Sequence, residues 1–300
     1  MRIVLVGTVA FSLRCLQEIV AMGGDVAAVL TLSPGDATFN ADYADLGPLA
    51  RERDIPVHRI KRTSDPETIA LLRELAPDVI FVFGWSQLVP REVLELAPLG
   101  CIGTHPALLP RGRGRHPIVW TLVEGLERSG LTFFYLDEGA DSGDILWQGE
   151  FEIGLEDDAA TLYAKVEELA ARAIREFLPQ LEAGTAPRTR QDDALATTWR
   201  KRTDVDRVID WSAPSLTVYN LVRALTHPYV GATTSADDTE LVVWRARMRD
   251  GEAADAPPGT ILAAGDAGIE VRTGDSSLLL VDIEPADLPL RPGLVLGLGR

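Results

Sequence analysis

A histidine at the end of a strand-like run and a carboxylate-rich turn further along are the features of this sequence best suited to proton transfer. Gly103-Thr104-His105 leads into Pro106-Ala107-Leu108-Leu109-Pro110, then Arg111-Gly112-Arg113-Gly114-Arg115, a proline-pinned turn carrying three arginines. Residues 137–144 gather Asp137, Glu138, Asp141 and Asp144 with Gly139 and Gly143. An imidazole changes charge near neutral pH, and a neighbouring carboxylate favours its protonated form and can itself accept a proton. His105 with Asp141 is therefore the expected acid–base pair. Taken alone, such a histidine is as readily a buried structural residue; its position in the chain favours chemistry.

That position depends on the elements around it. Apolar runs of strand length at 3–6, 26–32, 79–83 and 101–104 alternate with helical apolar spacing at 11–22, 47–53 and 66–75. This pattern predicts an α/β fold with a doubly wound, mostly parallel sheet, whose ligands bind beyond the carboxyl ends of the strands. The loops after Val6, Phe83 and Thr104 are then the ones to carry chemistry. Further strands are expected at 130–136 and 145–153, with a long amphipathic helix at 159–181. Residues 184–198, rich in Ala, Thr, Arg, Asp and Pro, read as a linker. A helix at 214–225 and short alternating segments at 240–246, 259–262, 269–273 and 277–283 predict a smaller β-rich, barrel-like second domain. The expected organisation is a catalytic domain over 1–185, a linker over 186–202 and an OB-like domain over 203–300.

Composition removes several classes. A formal net charge of −16 repels polyanions, which disfavours nucleic acid as a partner without a local basic patch. The apolar run of Met1 to Gly7 is too short for a signal peptide, and no stretch approaches a membrane span, so a cytoplasmic protein without membrane contact is expected. The two cysteines, Cys15 and Cys101, offer neither a disulfide framework nor metal-ligand spacing, and no metal is expected. Gly7-Thr8-Val9-Ala10-Phe11-Ser12 lacks the glycine spacing of a dinucleotide site.

The string His-Pro-x-Leu-Leu-Pro-x-x-Arg-Gly from His105, with Asp-Glu-Gly-x-Asp-Ser-Gly-Asp-Ile-Leu from Asp137, resembles the formyltransferases that use 10-formyltetrahydrofolate. The resemblance takes in Arg2 to Gly7 and Phe83-Gly84-Trp85-Ser86-Gln87-Leu88, and so covers at least residues 1–180. Ile209-Asp210-Trp211-Ser212 and the stretch from Tyr219 to Tyr229 are similar to the carboxy-terminal domain of methionyl-tRNA and amino-sugar formyltransferases.

The resemblance implies a catalytic trio of asparagine, histidine and aspartate, with the asparagine two positions before the histidine. His105 and Asp141 match; position 103 is glycine. Thr104 points to the other face of the strand from residues 103 and 105, so the expected substitutes are the Gln87 amide or a backbone N–H freed at Gly103. The donor is expected against Phe83, Gly84, Trp85, Ser86, Leu88 and Val89, with Leu109, Arg113 and Gly139. For the acceptor, Gly103, Thr104, Arg200, Arg202 and His227 are the candidates. The resemblance implies N-formylation of a primary amine, first that of a nucleotide-linked amino sugar. Amino-acid or peptide amines and methionyl-tRNA are alternatives, as are a formyltetrahydrofolate hydrolase and a non-catalytic folate-binding protein. It leaves a homodimer open.

Overall fold

The computed structural model describes residues 1–36, 42–237, 239–249, 251, 255–286 and 288–297. In chain order the elements are β1 (Arg2–Gly7), α1 (Ala10–Ala21), β2 (Asp25–Thr31), α2 (Gly47–Glu52), β3 (Val57–Arg59), α3 (Pro66–Leu75), β4 (Val79–Phe83), α4 (Arg91–Leu94) and β5 (Cys101–His105). There follow β6 (Arg113–Gly114), α5 (Pro117–Val123), β7 (Arg128–Tyr135), β8 (Ile145–Glu152), α6 (Ala159–Glu182) and β9 (Thr198–Trp199). The remainder holds α7 (Ser215–Leu225), β10 (Ala232–Ala236), β11 (Thr239–Met248), β12 (Ile261–Gly265), β13 (Gly268–Arg272) and β14 (Ser277–Glu284).

Two compact units result. Met1–Pro117, Arg128–Glu152 and Ala164–Trp199 form the first; Ile118–Glu127, Ile153–Tyr163 and Arg200–Arg300 form the second. The first unit is built on a seven-stranded sheet in the order β3-β2-β1-β4-β5-β7-β8. The pairings from β3 through β5 are parallel, and β7 and β8 join antiparallel. Its central strands read as unbroken apolar runs because both faces are covered. Ile3, Leu5, Phe81 and Phe83 pack on one side with Phe177 of α6, while Val4, Val6, Ile80 and Val82 pack on the other with Leu72 of α3. Strand order reverses between β1 and β4, which puts the crevice for a ligand beyond their carboxyl ends.

The stretch expected to be a linker is instead largely docked on the first unit. Thr189 exchanges two backbone hydrogen bonds with Ile145, at 2.8 and 2.9 Å, and β9 pairs in parallel with β6. Two-residue strands are too short to leave a periodic trace, and a composition rich in Ala, Thr and Pro looks the same whether its backbone bonds go to water or to protein.

The second unit carries an antiparallel five-stranded sheet in the order β10-β11-β14-β13-β12. Residues 295–297 bridge both of its edges, Gly297 to Ser235 on β10 and Val295 to Thr260 beside β12, which closes the sheet toward a barrel. Within this unit, buried Arg223 of α7 donates to the carbonyls of Gly154, Leu155 and Asp157.

Candidate active site

His105 ends β5, opposite Thr132 of β7, and is 5% exposed. The turn after it is held by side chains of the two antiparallel strands. Thr132 Oγ1 donates to the Ala107 carbonyl at 2.7 Å, and Gln148 Nε2 donates to the Leu109 carbonyl at 2.9 Å. Leu109 itself is buried, so it supports the turn instead of lining a surface.

The chain then bends so that the Gly112 carbonyl lies 2.7 Å from His105 Nε2. A carbonyl only accepts, so Nε2 carries the proton in this bond, which leaves Nδ1 as the nitrogen that faces Asp141. Asp141 Oδ2 lies 3.6 Å from Nδ1. That is ion-pair distance, longer than a hydrogen bond.

The carboxylate is fixed by two devices. Gly114 N–H donates to Asp141 Oδ2 at 2.8 Å. The residue itself has φ +57°, a left-handed conformation that costs a non-glycine residue about 1 kcal/mol, though Asp tolerates it better than most. The rest of the acidic turn is structural. Asp137 accepts from Gly139 N and Ser142 Oγ, closing the turn on itself, and a Cβ at Gly139 would overlap Ser142. Among the described residues no group of His, Cys, Asp or Glu could hold a metal ion.

At Gly103 the missing amide is not replaced by either expected substitute. Gly103 pairs on both sides, with Val82 of β4 and Phe134 of β7, so its backbone belongs to the ladder and is not freed. Gln87 Nε2 donates to the Lys61 carbonyl at 2.9 Å, and the structure brings it to no atom of the His105–Asp141 pair. The space beside Gly103 belongs to Leu136, whose Cδ2 lies 2.5 Å from where a Cβ would stand. Thr104 faces Phe133 across the ladder on the opposite face from His105.

The loop after β4 starts from a fixed point. Ser12 Oγ donates to the Phe83 carbonyl at 2.6 Å and accepts from the N–H groups of Thr8 and Val9, tying this loop to the turn after β1. Gly84, at φ +61°, passes so close to Val9 and Ser12 that no side chain fits. Phe83, expected to touch the donor, is instead fully buried, stacked on Phe81 at 5.1 Å and edge-on to Phe133. Beyond Gly84 the loop opens: Ser86 is exposed, Val89 is half-buried, and Leu88 is 76% exposed. The Trp85 indole N–H is buried without a hydrogen-bond partner. An orphaned donor beside exposed apolar side chains fits a flat heteroaromatic ligand with acceptor atoms on its edge.

Of the three arginines in the turn, Arg113 is spoken for by Gln191 and Asp193. Arg111 and Arg115 are exposed and join no ion pair among the described residues. In the second unit, Arg200 is paired with Asp206 and lies over the Trp120 ring, so it is not open to an acceptor in the way expected. The Arg200 hydrogen bond holds the Asp206 carboxyl well below the usual range. Burial pulls Arg202 down from its ordinary value. His227 is exposed and stacks on Trp244 at 4.1 Å.

Sequence reasoning missed Gln191, Ser12 and Thr197. Thr197 Oγ1 accepts from Gly112 N at 2.8 Å, and Trp199 fills the space that Gly112 and Gly114 leave open. The glycines were the only signal available for these partners.

The first unit is thus a mostly parallel α/β sheet with a His–Asp pair at the carboxyl edge of its strands, and the second a small β-barrel-like unit. The comparisons name the family. Residues 1–178 match the family described as formyl transferase, and residues 201–289 its C-terminal domain. The chain is 35% identical over 288 residues to a methionyl-tRNA formyltransferase of Geotalea daltonii, covering 95% of this chain and 90% of that one. The chain belongs to the formyl transferase family. Among solved structures, HypX from Aquifex aeolicus in complex with tetrahydrofolic acid shares the fold at TM-score 0.69 and 21% identity. That match covers 94% of this chain, which spans 44% of that longer protein. An N-formyltransferase from Helicobacter canadensis, in complex with folinic acid and dTDP-3-aminofucose, matches at TM-score 0.68 and 14% identity, covering 93% of this chain and 98% of that one. No helix among the described residues is long and apolar enough to cross a membrane.

Proposed function

We propose that the chain moves a formyl group from 10-formyltetrahydrofolate to the primary amine of a nucleotide-linked amino sugar, using His105 and Asp141. The observation that carries the chemistry is the pair of buried His105 and half-buried Asp141, 3.6 Å apart, with Nε2 held by the Gly112 carbonyl and Oδ2 by Gly114 N–H. The folate supplies the formyl carbon, and Trp85, Leu88 and Val89 are suited to hold its ring system. The amine nitrogen bonds to the formyl carbon and loses a proton, while the bond from that carbon to N10 of the folate breaks and N10 gains one. Asp141 accepts the amine's proton, and His105 exchanges it through Nδ1, the nitrogen left open by Gly112, for return to the leaving nitrogen. Glycine at position 103 supplies no side-chain donor to the oxyanion, and the loss of one such donor typically costs on the order of 10²–10³ in rate.

For the acceptor, the supporting observation is the placement of charge. In a chain of net charge −16, the free guanidiniums of Arg111 and Arg115 each lie one residue from a backbone group that binds the pair. Such a local cation pair suits the compact phosphates of a sugar nucleotide. A second reading is favoured by the names of the relatives: methionyl-tRNA as acceptor, which conflicts with the expectation that nucleic acid is disfavoured.

The test is to incubate the protein with 10-formyltetrahydrofolate and, separately, nucleotide-linked amino sugars, initiator methionyl-tRNA and free amino acids, following tetrahydrofolate release and the formylated product. Turnover with an amino sugar is expected. Formyl-methionyl-tRNA as the sole product would replace the first reading by the second. Formate released without any amine would make the chain a hydrolase, and folate binding without turnover would make it non-catalytic.

A further inference from the structure

We infer that Gln191 is a positioning residue for Asp141, holding the carboxylate in its working conformation from a segment that contributes nothing to the reacting atoms. This rests on the proposal that His105 and Asp141 are the reacting pair. Gln191 is 4% exposed, and its amide is saturated. Nε2 donates to the carbonyls of Asp141 at 2.8 Å and Gly143 at 2.7 Å, while Oε1 accepts from Arg113 Nε at 3.2 Å and Nη2 at 2.9 Å. The orientation of the amide is fixed by its partners. Carbonyls only accept and a guanidinium only donates, so the nitrogen must face the acidic turn and the oxygen must face Arg113.

Each bond falls beside a support of the pair. Asp141 sits in a left-handed conformation, which persists only where the surroundings hold it, and Gln191 grips its own carbonyl. Arg113 adjoins Gly112, whose carbonyl binds His105, and Gly114, whose N–H binds Asp141. One buried amide thus ties the Arg113 side chain of β6 to the backbone of the carboxylate's turn. Reactions that depend on near-contact geometry lose about 100-fold for a displacement of about 1 Å, which sets the scale of the effect.

The informative variant is Gln191→Glu. It keeps the size and the bonds from Arg113, but turns oxygen toward two carbonyl oxygens, pushing the Asp141 turn away. Gln191→Ala removes the clamp without that repulsion. We expect kcat to fall about 10- to 100-fold in Gln191→Glu and by a smaller factor in Gln191→Ala, with KM for both substrates within about 2-fold of wild type. The controls are the melting temperature and tetrahydrofolate binding of each variant. The same change is then made in an Asp141→Asn background, where Gln191→Glu should have little further effect on kcat, because the group it positions is gone.

Equal loss in both backgrounds, or loss confined to KM or folate binding, would overturn the positioning role. So would an unchanged kcat for Gln191→Glu. Failure of the underlying proposal looks different: Asp141→Asn alone would then keep wild-type kcat, whatever Gln191 does.

Discussion

Two loops at the carboxyl edge of the same sheet are built on opposite plans. The turn after β5, with the acidic turn between β7 and β8, is closed: His105, Asp141 and the backbone groups between them are bonded by Gly112, Gly114, Thr132, Gln148, Thr197 and Gln191. The loop after β4 is held by Ser12 where it begins and by the Gln87 bond to the Lys61 carbonyl further along, yet it leaves an indole N–H unpaired and Leu88 in solvent. Preorganised dipoles suit the place where charge develops, whereas unsatisfied donors beside apolar surface suit the place where a ligand supplies the missing partners. On the proposed function, the closed loops carry the chemistry and the open one the binding.

On this division, variants in the two loops separate kcat from KM. The largest effect belongs to His105→Ala, which should lower kcat by about 10²–10⁴ with tetrahydrofolate binding retained; binding lost together with kcat would erase the distinction. Next, restoring an oxyanion donor should repair the closed side. Gly103→Asn combined with Leu136→Ala, which clears the space now taken by the leucine, is expected to raise kcat by on the order of 10-fold or more, and Gly103→Asn alone by less. No gain from the double variant would mean that the oxyanion is already satisfied by another group.

On the open side, Trp85→Phe deletes the orphaned N–H. A single hydrogen bond of about 1 kcal/mol predicts a rise of roughly 5-fold in KM for the formyl donor with kcat unchanged, read from initial rates. The smallest effect on activity is expected away from both loops, at Glu18. Burial would raise this carboxyl, but the hydrogen bonds and charges of Arg175 and Arg14 outweigh it and hold it below its usual 4.5. A depressed carboxylate contributes stability above that usual value, lost as the pH falls through the lower folded value. Glu18→Gln should lower the melting temperature by about 2–4 °C near neutral pH, with the difference shrinking in acid and kcat untouched. A pH-independent difference would assign the effect to packing.

The sequence displays the two plans unequally. Strands β1, β2, β4 and β5 were legible because each is an apolar run closed by a turn, and the His105 and Asp141 motifs follow directly from that frame. β10, whose sequence is Ala-Thr-Thr-Ser-Ala, has no apolar alternation and left no signal. The misreading of residues 186–202 has the same origin as the failure to see Gln191. A buried amide 50 residues from Asp141 has no local signature, and its partners are backbone atoms that carry no side-chain identity. Gln87 was misjudged because the direction of a loop amide is decided by its acceptor, here the Lys61 carbonyl 26 residues away.

Gln87 also provides the sharpest test, as the open-loop counterpart to which Asp141 is compared. Turnover numbers for Asp141→Asn and Gln87→Ala, measured side by side as tetrahydrofolate release at saturating donor and acceptor, address the central claim that proton transfer belongs to the closed loops and not to the open one. The prediction is a fall on the order of 10²-fold or more for Asp141→Asn and a wild-type value for Gln87→Ala. Wild-type turnover in Asp141→Asn, or an equal loss in Gln87→Ala, would contradict it.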